Sequence, residues 1–285
     1  MTNLDQFESV FKSSDKAVFN YVRPTYTNGL IVTDLDAVHV SDFTNQIRGY
    51  LSAIDDGGLQ WAALTSDDFQ SVQELLEQIE KRKPDLIVTY RHLKSKAWQW
   101  PYSLGEYLDV MTQATGVPVL VVPHPEAGRA YAQSLINTDR VMAITDHMTG
   151  DDALVNTAMA FTADQGTCWL THVENQAVFE RYMETISKIP QVNTDIAREA
   201  IAAQLLKEPT DYIAACKTEI ERHKLSVQIE LLVVMGRRID EYRQLIVDHE
   251  IDLLVMHTKT GDHLAMQGAA YPLAVDLRQI PMLMI

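Results

Sequence analysis

Two kinds of apolar pattern alternate along this chain. Residues 29–33, 59–64, 85–90 and 117–122 are short runs rich in Val, Ile and Leu, without polar alternation. Residues 140–145, 167–171, 227–234, 252–256 and 280–285 repeat that pattern further on. Runs too short for a helix and apolar at nearly every position are the mark of strands buried on both faces. The segments between them carry apolar residues at helical spacing. Ile47, Leu51 and Ile54 predict a helix over 43–54 with Asp42 as its cap, and Val72, Leu75, Leu76 and Ile79 predict one over 69–81. Weaker signals place a strand over 8–13 and a helix from Asp15 that Pro24 ends. Strands alternating with helices imply βαβ units, and so a parallel sheet covered on both sides.

One such unit occurs twice. Asp85-Leu-Ile-Val-Thr-Tyr leads through a polar segment to Val117-Pro-Val-Leu-Val-Val, and Asp252-Leu-Leu-Val-Met-His leads through another to Ile280-Pro-Met-Leu-Met-Ile. In each, an acidic residue closes an amphipathic helix pattern, and the second strand opens at a proline. The Pro- and Gly-bearing segment 123–128 reads as a linker. The chain is therefore expected to carry two α/β domains, 1–125 and 137–285, each with five strands. The second is the larger: Asp151 or Asp152 caps a helix to about Ala163, and extra material between its second and third strands holds helical patterns over 194–207 and 211–224, separated by Pro209.

Composition narrows the classes. A length of 285 residues suits two domains of ordinary size. No apolar run approaches the ~18 residues that span a bilayer, and residues 1–5 show no secretory signal, so a cytoplasmic protein without membrane partners is expected. Cys168 and Cys216 form no short-spaced motif and read as reduced structural thiols. A net charge of −15 argues against nucleic acid as the main partner. It does not argue against nucleotides, which helix N-termini and backbone amides bind without net positive charge.

In open parallel sheets ligands sit beyond the carboxyl ends of the strands, where strand order reverses. In the second half that place follows Thr145-Asp146 and the stretch from Met256 to Gly268. These residues carry a resemblance. Thr145-Asp146 followed by Asp151-Asp152-Ala-Leu-Val, the stretch Asp252-Leu-Leu-Val-Met-His-Thr-Lys-Thr-Gly261, Gly268 and Ile280-Pro-Met-Leu-Met-Ile together resemble the universal stress protein domain. The likeness covers the second half and, more faintly, the first, so the chain resembles a tandem member with both domains on one polypeptide. It implies two five-stranded parallel sheets of the adenine-nucleotide alpha-hydrolase-like type, strand order 3-2-1-4-5, paired within the chain through their last strands, with a homodimer as a further assembly.

Nucleotide-binding members carry a Gly-x2-Gly-x9-Gly-Ser/Thr loop after the fourth strand and an aspartate after the first. By that resemblance Asp146, beside Thr145, matches the adenine aspartate, Val173 a hydrophobic contact, Gly261 the second glycine and Gly268 the third. ATP is accordingly the candidate ligand, with no cofactor certain. Met256 and Lys259 belong to the same stretch. The departures weigh against ATP: the first glycine is missing beside His257, Ala269 replaces the hydroxyl residue, and six residues separate Gly261 from Gly268. In the first half Ser13-Ser14 occupy the place of Thr145-Asp146, and 90–102 contains no glycine. Nucleotide binding in the family manner is not expected there.

Other constellations have a sharp reading and a bland one. Tyr90, Trp98, Trp100 and Tyr102, interleaved with Arg91, Lys94 and Lys96, read either as a stacking and anion site or as packing between domains or subunits, and packing is favoured. His257, Asp262 and His263 have metal-ligand chemistry, but three such residues on a polar loop are more often solvated. Ile196, Ala200, Ile201 and Leu205 mark a helix face that serves as a lid or, preferably, extends the core. No acid, base and nucleophile come together in a recognisable set. The expectation is a stress-response protein acting by binding protein partners or a small ligand without turnover. The competing reading is a slow ATPase built on Asp146, His257, Lys259 and Gly261.

Overall fold

The computed structural model describes residues 18–55, 57–100, 102–127, 134–145, 148–258 and 270–285. Among them nine strands form one sheet in the order β2-β1-β3-β4-β9-β8-β5-β6-β7. The strands are β1 (Asn28–Val32), β2 (Gln60–Leu64), β3 (Leu86–Tyr90), β4 (Val119–Val122), β5 (Arg140–Thr145), β6 (Thr167–Asn175), β7 (Gln228–Gly236), β8 (Leu253–Met256) and β9 (Met282–Met284). All neighbours run parallel except β4 and β9, which pair antiparallel with Leu120 opposite Leu283. The unalternating apolar runs behave as their pattern requires. Every residue of β3, β4, β8 and β9 is buried, while the edge strands β2 and β7 carry exposed positions.

The repeated unit is repeated in its hydrogen bonds. The Asp85 carboxylate accepts the N–H groups of Thr27 (2.7 Å) and Asn28 (3.0 Å) and the Thr27 hydroxyl (2.9 Å), fixing the start of β1 beside β3. The Asp252 carboxylate accepts the Arg140 N–H at 3.0 Å and fixes β5 beside β8. Ile87 N–H donates to the Pro118 carbonyl at 2.9 Å, and Leu254 N–H to that of Pro281 at 3.0 Å. Each proline opens its strand at a place where its own amide is not needed, and its carbonyl joins the neighbouring strand.

Several expectations need correction. β1 pairs directly with β3, Gly29 opposite Leu86, so no strand stands between them and the first half shows four described strands, not five in the order 3-2-1-4-5. The expected strand over 8–13 and residues Ser13-Ser14 lie outside the described residues. The helix expected from Asp15 to Pro24 is absent over 18–27, which runs extended across the second half. Phe19 meets Tyr212 edge-on, Tyr26 meets Phe161, and the N–H groups of Asn20 and Val22 donate to Asp152 (3.1 Å) and Asn156 (3.1 Å). Buried Phe19 between exposed Val18 and Asn20 is the alternation of an extended chain. Tertiary partners for these amides override a weak helical signal.

Eight α-helices are described. Helix α1 (Ala37–Tyr50) starts earlier than expected because Asp36, not Asp42, caps it, accepting from Val38 and His39. Ser71 caps α2 (Val72–Arg82), Gly105 precedes α3 (Glu106–Ala114), and Asp151 caps α4 (Asp152–Phe161). In the enlarged region α5 (Gln176–Ile186) is a helix not anticipated, and α6 (Thr194–Arg222) is continuous through Pro209 instead of two pieces. Only the portion from Pro209 onward is buried, through Tyr212, Ile213, Cys216 and Ile220. Ile196 and Ala200 are exposed and Ile201 and Leu205 only partly buried, so that face does not extend the core. Helices α7 (Arg238–Asp248) and α8 (Ala270–Asp276) complete the set. Both cysteines are free and buried, and burial pushes each thiol up to about 12. No described helix is long and apolar enough to cross a membrane.

Candidate functional site

In the second half, β6, β5 and β8 bring their carboxyl ends together, because Ile144 lies opposite Met256 and Thr145 opposite His172. Thr145, Val173, Met256 and His257 therefore share one end of the sheet. Thr145 is partly buried and its carbonyl accepts the Tyr242 hydroxyl at 3.4 Å. Val173 is fully buried, with its carbonyl taken by Arg238 Nε at 3.0 Å. Met256 is buried between Ile144 and Met284. Asp146, Lys259, Gly261, Gly268 and Ala269 lie outside the described residues, as do Asp262 and His263. Among the described residues no three metal-ligating side chains gather.

His257 has a partner that sequence reasoning treated only as a cap. Its Nε2 lies 2.9 Å from both Asp151 oxygens, while Asp151 Oδ1 also accepts the Leu154 N–H at 3.1 Å. A residue chosen for the first turn of α4 thus also orients the imidazole at the end of β8. The signal was available, since an N-cap beyond β5 faces the same crest as a residue beyond β8.

The first half closes the corresponding place with its own side chains. Tyr90 is fully buried and donates its hydroxyl proton to Asp34 Oδ1. The Tyr90 hydroxyl oxygen lies 2.7 Å from Thr33 Oγ1 and accepts the Asp34 N–H at 3.1 Å. Burial first, and then the bond to Asp34, raises the phenol well above its ordinary range. Lys94, which matches Gly261 when counted from Asp85 and Asp252, takes a left-handed backbone (φ 59°) and donates its N–H to Asp34 Oδ2 at 2.6 Å. Its ammonium donates to the carbonyls of Ser66 (3.0 Å) and Phe69. Of the aromatic stretch, Tyr90 is core, Trp98 stacks on His124 at 4.8 Å, and Trp100 and Tyr102 are exposed.

The chain is an α/β layered protein whose strand order reverses around β5, the place where open parallel sheets hold a ligand when they bind one. A universal stress protein structure from Pseudomonas aeruginosa UCBPP-PA14 matches with a TM-score of 0.52 at 12% identity, covering 91% of this chain and 93% of that one. This likeness establishes a shared fold. A universal stress protein from Archaeoglobus fulgidus DSM 4304 matches at 11% identity over 91% of this chain and 98% of that one, with a TM-score of 0.48. No protein-family model matches the chain, and no curated protein matches it.

Proposed function

We propose that this chain is a tandem protein of the universal stress type, cytoplasmic, that acts by binding a protein partner or a small ligand and carries out no turnover of its own. The observation that carries the reading is the likeness of fold, over 91% of this chain, to a protein of that name. The doubled hydrogen-bond pattern of Asp85 with Pro118 and Asp252 with Pro281 supports descent of the halves from one unit. The strand order β7-β6-β5-β8-β9 of the second half supports its equivalence to a single domain of the family, with β4–β9 as the pairing between the copies.

Nucleotide binding, on this reading, is confined to the second half, around Asp146 and Gly261. The first-half crest argues against a second nucleotide there, because Tyr90 and Lys94 take up Asp34 and the neighbouring carbonyls. Thermal unfolding with and without ATP and Mg²⁺ tests the ligand. At ~100 times its dissociation constant a ligand stabilises by ~2.7 kcal/mol. A shift abolished by Asp146→Ala assigns ATP to this crest. Absence of any shift at millimolar ATP removes both the nucleotide and the slow-ATPase alternative, leaving a partner-binding role.

A further inference from the structure

Two clefts open on either side of the β4–β9 junction, and the repeat relates them. One, of about 180 Å³, has Arg91, Trp98, Val122, His124, Arg278 and Gln279 among its lining residues. The other, of about 150 Å³, includes Thr115, Gly116, Thr258 and Ile285. Counted from Asp85 and Asp252, Arg91 corresponds to Thr258. Counted from Pro118 and Pro281, Val122 corresponds to Ile285, Arg278 to Thr115, and Gln279 to Gly116. The two clefts are one architectural position seen twice. The fold builds it once with two threonines, so the junction itself does not require arginine; the other copy carries two.

Those arginines are poorly compensated. Arg91 is 6% exposed, its Nη2 donates to the carbonyls of Ala274 and Leu277 (3.4 Å) at the end of α8, and its buried Nε has no hydrogen-bond partner among the described residues. No described carboxylate forms an ion pair with Arg91 or Arg278. Burial, with Arg278 adding to it, pushes the Arg91 guanidinium down to about 9, which still leaves it protonated at neutral pH. The helix-end carbonyls account for one nitrogen of Arg91, while Arg278 is partly exposed and has no carboxylate partner among the described residues. Two like charges beside one cleft disfavour each other, and a negative group between them offsets that repulsion.

The remaining walls supply donors and a flat face. His124 Nδ1 accepts the Glu126 N–H at 3.2 Å, so the neutral ring carries its proton on Nε2. Trp98 stacks parallel to that ring, 15° from coplanar. Asp34 and Glu126 act on His124, yet neither lines the cleft. The volume falls below the roughly 300 Å³ at which pockets begin to hold drug-sized ligands, which excludes a whole nucleotide and suits a small anion.

We propose that the cleft between Arg91 and Arg278 is a binding site for a small oxyanion, the phosphate or carboxylate head of a compact metabolite, held by both guanidinium groups beside the Trp98–His124 stack. Planar guanidinium groups match such oxygens bidentately.

Inorganic phosphate titrated into the full-length protein, with ionic strength held by KCl, tests this. A saturable change in tryptophan fluorescence is expected, accompanied by a rise in Tm. Trp98→Phe should abolish the fluorescence change, which assigns the signal to this cleft. Arg278→Thr, the residue of the twin cleft, should weaken phosphate at least about tenfold without lowering Tm in the absence of phosphate. Malonate run in parallel separates the sources: competition with phosphate supports a site open to carboxylates, and phosphate alone supports one for phosphate esters. No saturable response at tens of millimolar of either anion, or wild-type affinity in Arg278→Thr, overturns the proposal. Asp146→Ala should leave the phosphate response intact, so its outcome is separate from that of the nucleotide reading.

Discussion

Asp252 makes stability depend on pH in a direction opposite to that of most aspartates. Its side chain is 3% exposed at the foot of β8, and burial raises its carboxyl to about 7 although the Arg140 N–H favours the charged form. The ordinary value is 3.8. Between these values the folded protein holds a proton that the unfolded chain has released, so stability falls as pH rises. The contribution is fully present below about 4 and is lost as pH passes through about 7. Three units at 1.36 kcal/mol each set the loss at about 4 kcal/mol at most. In Asp252→Asn the amide oxygen can still accept the Arg140 N–H, and no charge is ever buried. Urea unfolding from pH 4 to pH 8 should show the variant matching the wild type at the acid end and exceeding it by up to about 4 kcal/mol at the alkaline end. A difference that stays constant with pH, or a variant weaker at pH 8, refutes the reasoning.

Other perturbations should read out the repeat and the junction. Asp85→Ala removes three hydrogen bonds from the start of β1 and should cost about 2 kcal/mol by urea unfolding, less than their sum because the carboxylate is partly solvated. Leu283→Ala empties a fully buried position opposite Leu120 and should cost about 2–5 kcal/mol, seen as a lower denaturation midpoint. Gly105→Ala forces a side chain at φ +92° with its Cβ 2.8 Å from His92 Cα, and should lower stability by about 1–3 kcal/mol. Gly49→Ala, inside α1 with nothing within 4 Å, should instead raise it by about 0.5–1 kcal/mol.

Legibility in the sequence followed the strength of the local signal. Strands such as Leu253-Leu-Val-Met and Val119-Leu-Val-Val were plain, because unbroken burial leaves an unbroken apolar run. Helix starts were harder. Asp36 and Asp42 are both competent caps, and the choice depends on Val38 and His39 offering their amides to Asp36. Pro209 misled for a physical reason: a proline costs a helix one hydrogen bond, and burial of Tyr212, Ile213 and Cys216 just beyond offsets that loss. The extended course of 18–27 was hidden because its partners, Asp152, Asn156 and Tyr212, lie far along the chain. At the candidate site, sequence brought Thr145, Val173, Met256 and His257 to one crest but not Asp151. The paired clefts needed both copies of the repeat folded against each other before Arg91 and Arg278 became neighbours.

The antiparallel seam between β4 and β9 also has a consequence for biosynthesis. Strand β4 is translated early, yet the neighbour that completes its ladder comes from the distal end of the sequence. Until Met282–Met284 leaves the ribosome, an unbroken aliphatic border stays open in the nascent molecule, ready to stick to whatever passes. Such an open border is the kind of surface that chaperones cover.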